Sequence, residues 1–106
     1  MENLRTTIKN SADIIRDKFS VKKIILFGSS AYGVSDRDSD IDLCIIIDMT
    51  SRRKIDTIRD IRRELAHNYS SPFDILVYSE KEFNERAALK NSFEYDIANK
   101  GTVLVG

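Results

Sequence analysis

Between residues 3 and 19, apolar side chains return every three or four positions, at Leu4, Ile8, Ala12, Ile15 and Phe19. That is the period of a helix with one buried stripe. Ser20 and the Lys22-Lys23 pair close it, since cations are favoured at the negative end of a helix dipole. Val21 and residues 24–27 then form a short apolar run that stops at Gly28, the pattern of a buried strand. Residues 28–39 are small and polar and predict a turn, one helical turn and a loop. The strongest strand signal lies over residues 40–47, where Asp40 and Asp42 alternate with Ile41 and Leu43 before an unbroken Cys44-Ile45-Ile46-Ile47. Residues 51–68 predict a second long helix with Ile55, Ile58, Ile61 and Leu65 on its stripe and Thr50 or Ser51 as its cap. Pro72 marks the entry to a strand over residues 73–78, at a position where its missing N–H is tolerated. Ser79 with Glu82 reads as a capping box opening a final helical region over 80–99, with Phe83, Ala87, Phe93 and Ile97 as its core contacts. Gly101 ends that helix, and residues 102–105 add an edge strand.

This alternation of helices and strands predicts an α+β fold, a small mixed sheet with helices packed on it. The chain has 106 residues, one domain's length, with 42% hydrophobic and 32% charged residues. Four glycines and one proline leave no stretch that reads as a linker, so residues 1–106 are expected to form a single domain. Seventeen basic residues balance seventeen acidic ones, which argues against bulk electrostatic attachment to nucleic acid or membrane. Cys44 is the single cysteine and fits a reducing cytoplasm. No apolar leader opens the chain, and the apolar run over 43–47 is too short to span a bilayer.

The candidate chemistry begins at Gly28-Ser29, where a buried strand breaks into a turn. Glycine lets backbone approach a ligand closely, a helix N-terminus favours an anion, and the hydroxyls of Ser29 and Ser30 add donors. Such turns are also commonly only structural. Asp40 and Asp42 carry more weight: two apart on a strand, they project from the same face. A solvated edge is the bland account, but the run that follows is apolar at every position, as in a central strand. Two adjacent carboxylates at the mouth of such a strand need a compensating cation, and hard oxygen donors that fill only part of a coordination shell suit magnesium. Asp74 opens the next strand among apolar neighbours and is either a strand-end aspartate or the third carboxylate of a two-metal site.

Phe27-Gly28-Ser29 followed by Ser39-Asp40-Ile41-Asp42-Leu43, with a third acid in Asp74-Ile75-Leu76-Val77, resembles the signature of the DNA polymerase beta-like nucleotidyltransferases, and most of all their stand-alone minimal branch. The resemblance covers nearly the whole chain. It implies that Asp40 and Asp42 bind two Mg2+ ions, that Asp74 ligates the catalytic ion and helps to deprotonate an acceptor hydroxyl, and that Gly28, Ser29 and Ser30 hold the triphosphate of ATP, with pyrophosphate leaving. It further implies an acceptor on a second chain, typically a helical HEPN protein, in a toxin–antitoxin pair whose antitoxin adds AMP to the toxin. The chain would then stand in a hetero-oligomer, or in a homodimer.

One departure stands out. Relatives often read Gly-Ser-Arg-Ala-Arg-Gly where this chain has Gly28-Ser29-Ser30-Ala31-Tyr32-Gly33. Cationic support for the triphosphate must come from elsewhere, with Arg37 in the following loop as the candidate and a solvated loop charge as its alternative. The missing arginines also motivate two other readings: a non-catalytic module that masks its partner, and one subunit of a transferase acting on a small molecule or an RNA end. Elsewhere, the arginines of residues 51–68 interleave with Asp56, Asp60 and Glu64 and read as a solvated face. His67 has no second histidine to share a metal, and Cys44 reads as a small buried apolar residue.

Overall fold

A computed structural model of the chain describes residues 4–28, 41–48, 53–69 and 73–106, with the side chain of residue 4 left aside. The expected turn and loop over 29–39, the caps at Thr50 or Ser51, and Pro72 lie outside the described residues. The element order is α1 (Leu4–Lys18), β1 (Val21–Phe27), β2 (Ile41–Ile47), α2 (Lys54–Asn68), β3 (Phe73–Ser79), α3 (Glu80–Ala87), α4 (Phe93–Lys100) and β4 (Thr102–Val105). The four strands lie in the order β3-β2-β1-β4. β1 is antiparallel to both β2 and β4, while β2 and β3 are parallel. The parallel pair follows from α2, since a crossover helix is what returns the chain to the same end of a sheet.

The period-2 pattern of β2 explains why the sheet is covered on both faces. Ile41, Leu43, Ile45 and Ile47 point to one side, where they pack with Ile8, Ala12 and Ile15 of α1 and Ile61 and Leu65 of α2. Cys44 and Ile46 point to the other, against Phe83 of α3 and Ile97 of α4. A strand apolar on both sides is a central strand, and β2 occupies that place. The stripe of α1 is wider than its apolar residues alone predict, because Thr7 and Ser11 are buried too. Ser11 meets the demand of burial locally, its hydroxyl donating to the Ile8 carbonyl at 2.8 Å.

Three expectations need correction. α2 begins at Lys54 rather than 51, behind Arg53, which makes no side-chain cap. Its buried stripe runs through Thr57, Ile61 and Leu65 with Ile58 half-buried, whereas Ile55, turned well round the helix from that face, is 64% exposed. The final helical region is two helices. Ser79 caps α3 as predicted, accepting from the Glu82 N–H at 3.1 Å, but residues 88–92 turn and Ser92 caps α4 afresh. Ser92 Oγ accepts from the Tyr95 N–H at 3.0 Å and donates to the Arg86 carbonyl at 2.7 Å, tying the end of one helix to the start of the next. Ser92→Ala removes both bonds and is expected to lower stability by about 1–2 kcal/mol, against about 1 kcal/mol for Ser79→Ala. Urea unfolding of the two variants checks the order.

Gly101 ends α4 as expected, for a reason other than a left-handed cap. Its φ is −73°. A Cβ there would meet Ile25 Cγ2 at 2.5 Å and the Ile97 carbonyl at 2.6 Å, so only glycine lets the chain turn from α4 into β4 against β1.

Candidate active site

Phe27, Asp42 and Asp74 are held by the sheet itself. Asp42 is the register partner of Phe27 on β1 and of Asp74 on β3. Residues paired across neighbouring strands share a face, with backbones about 4.8 Å apart. The two carboxylates thus stand side by side on the α3/α4 face, where Asp42 is half-buried and Asp74 exposed. Gly28 follows Phe27 directly and takes a φ of +77°, the left-handed region that glycine enters without a steric penalty. A Cβ at Gly28 would collide with Asp42 Oδ2 and lie 3.1 Å from its Cγ, so the bend is packed onto the aspartate.

These residues line one cleft of about 600 Å³. Gly28, Asp42 and Asp74 form one wall, Phe93 and Asp96 of α4 another, and Arg62 reaches in from α2. The Phe93 ring meets Phe27 edge-to-face, their centroids 5.6 Å apart, and stays 55% exposed. It was expected in the core; the break before α4 brings it to the cleft instead.

Of the residues that the sequence singled out, the fold brings together Gly28, Asp42 and Asp74. Ser29, Ser30, Arg37 and Asp40 lie outside the described residues. Among the described residues, no group of three or more His, Cys, Asp or Glu is placed to hold a metal. The donor set nevertheless suits a hard cation: Asp42 and Asp74 offer paired carboxylate oxygens, open to solvent on one side, with no soft ligand lining the cleft.

Arg62, Phe93 and Asp96 were missed. For Arg62 a signal existed. Ile58, Arg59, Leu65 and Ala66 occupy its helical neighbour positions, so it has no acid within pairing reach. Its neighbours do pair: Arg53 and Arg59 with Asp56 at 3.2 and 2.7 Å, and Arg63 with Asp60 at 3.8 Å.

Away from the cleft the same face carries a buried polar pair. The Tyr78 hydroxyl donates to Glu94 Oε2 at 2.7 Å, and burial, then Glu94, pushes the Tyr78 pKa up. Cys44 is fully buried, and burial followed by the Glu94 charge pushes its thiol up to about 12, so it stays protonated and inert. His67 is exposed in the last turn of α2.

The model of the polymerase beta nucleotidyltransferase family matches residues 9–106. A protein of Methanocaldococcus jannaschii, named "putative protein adenylyltransferase", is 33% identical over 104 residues, which cover 96% of this chain and 98% of that protein. Among solved structures, a toxin–antitoxin crystal structure with AMP-PNP superposes with a TM-score of 0.65 at 24% identity, covering 92% of this chain and 73% of that one. A mutant of the toxin–antitoxin pair MntA-HpeT gives 0.66 at 21% identity, with the same 92% and 73%. At these identities the two superpositions show a shared fold. With the family model spanning almost all of it and a relative matched end to end, the chain belongs to the polymerase beta nucleotidyltransferase family and is a transferase of that class.

Proposed function

We propose that the chain moves AMP from ATP to a hydroxyl group of a partner protein, a HEPN-type toxin that it silences as the antitoxin of the pair. The observation that carries this reading is the in-register pair Asp42 and Asp74 beside the left-handed Gly28, at the mouth of an open cleft. The name of the Methanocaldococcus jannaschii relative supports a protein acceptor, and the toxin–antitoxin assemblies that share the fold support a toxin partner. A cytoplasmic setting goes with ATP as the donor; no helix among the described residues is long and apolar enough to cross a membrane.

In the reaction, an acceptor hydroxyl oxygen bonds to the α-phosphorus of ATP as the bond from that phosphorus to the bridging oxygen breaks, and pyrophosphate leaves. Asp74, exposed at the mouth, takes the hydroxyl proton. Gly28, with Ser29 and Ser30 after it, lets the triphosphate lie against bare backbone. Phe93 offers an exposed ring face to the base. Asp40, Asp42 and Asp74 would hold two Mg2+ ions, which when bound neutralise the charge of the phosphates.

The test is to incubate the purified chain with α-phosphate-labelled ATP, Mg2+ and the product of the neighbouring gene. Label should appear on that product with the native chain and not with Asp40→Asn. Absence of label in both reactions removes the enzymatic reading. If the Asp40→Asn/Asp42→Asn double variant still relieves the partner's toxicity, silencing occurs by masking, the reading that the lack of arginine over residues 28–33 motivates.

A further inference from the structure

We infer that Arg62 is the cation that holds the phosphate chain of the nucleotide in the cleft. The inference rests on the proposed nucleotidyl transfer and adds to it a residue on an element outside the Gly28 and Asp42 framework.

Charge makes the first argument. The cleft walls carry three carboxylates, Asp42, Asp74 and Asp96, and Arg62 is the one cationic side chain among the lining residues described. A triphosphate bears about four negative charges near neutral pH, and the roughly four positive charges of two divalent cations must also offset the carboxylates that hold them. A cationic side chain is therefore needed on the phosphate side of the site. Residues 28–33 contain no arginine or lysine to supply it, and Arg37 lies outside the described residues.

Pairing makes the second. Arg53, Arg59 and Arg63 of the same segment are each engaged by an aspartate of α2. Arg62 makes no ion pair or hydrogen bond among the described residues, and no acid stands three or four positions from it. An unpaired arginine on a solvated face carries no meaning. One that enters a cleft with two in-register aspartates has its planar, five-donor fork free for an anion, and phosphate oxygens match that fork in two parallel bonds.

Calorimetric titration of the full chain with ATP and with AMP, each with Mg2+, tests this. Arg62→Gln is expected to weaken ATP binding about tenfold or more and AMP binding much less, because AMP lacks the outer phosphates. Arg62→Lys should recover part of the loss, and Arg59→Gln, which removes an equal charge from the same helix, should bind ATP like the native chain. Both glutamine substitutions are on exposed positions of α2 and should fold, which thermal melting checks. Native-like ATP binding by Arg62→Gln overturns the inference and leaves the proposed reaction standing, as does an equal loss with Arg59→Gln. Failure of the native chain to bind ATP at all overturns both.

Discussion

Replacing Asp42 by asparagine is expected to lower the rate of nucleotidyl transfer about a thousandfold, or about 4 kcal/mol in the barrier, with the fold retained. Asparagine has the same shape and keeps one acceptor oxygen, so the strand pairing of β2 with β1 and β3 is unaffected. What is lost is the charge. Phosphoryl transfer asks little of a protein in covalent chemistry and much in holding divalent ions against phosphate, and a neutral amide is a poor ligand for a hard cation. Asp74→Asn should lose a similar amount or more, because it also removes the group that takes the acceptor's proton.

Stability should move the other way. Like charges directly opposite on paired strands are destabilising by a few tenths to about 1 kcal/mol, so neutralising Asp74 beside Asp42 is expected to leave the melting temperature equal or higher in metal-free buffer. Adding Mg2+ should then raise the melting temperature of the native chain, since an ion bound only by the native state stabilises it, and should leave the Asp42→Asn/Asp74→Asn variant unmoved. Two measurements carry this: initial rates at saturating ATP, and melting curves with and without the metal. Transfer by Asp42→Asn within tenfold of the native rate would sink the proposed role.

Why the sequence showed this pair and not the rest of the cleft is a matter of period. On β2 the two-residue repeat divides the side chains cleanly, Asp42 to one face and Ile41 and Leu43 to the other, and the apolar run behind them marks a central strand. Asp74 becomes a neighbour through a crossover that the alternation of elements already implied. Ser29, Ser30, Arg37 and Asp40 lie outside the described residues, and the roles of Ser29, Ser30 and Asp40 rest on the proposal.

The second half was harder to read because tertiary packing overrode local propensity. Residues 87–90, Ala-Ala-Leu-Lys, favour continued helix, with no Gly or Pro to interrupt them. The chain nevertheless turns there, and only the Ser92 hydroxyl, bonded to both helices, betrays the break. Once α4 is a separate helix, Phe93 stands at its first position and faces the cleft. Ile55 shows a different limit: spacing by three or four admits more than one stripe, and at about 100° per residue Ile55 lies well round the helix from the face of Thr57, Ile61 and Leu65.

Gly28→Ala is the second large effect, and it separates geometry from charge. An alanine at a φ of +77° is disfavoured by about 1–2 kcal/mol for its backbone alone. Its methyl would also overlap Asp42 Oδ2. The far end of an aspartate side chain moves more readily than a strand, so the overlap is relieved by turning the carboxylate out of its place. Stability should therefore fall by about 2–3 kcal/mol, lowering the melting temperature by roughly 10 °C or more, while transfer is lost almost entirely. The close approach can be isolated with a double-mutant cycle. In an Asp42→Ala background the collision has no partner, and Gly28→Ala should then destabilise by the backbone contribution only, about 1 kcal/mol less than in the native chain. An identical destabilisation in both backgrounds would mean that the bend does not rest on Asp42, and that the glycine is required for its turn and not for bringing backbone against the carboxylate.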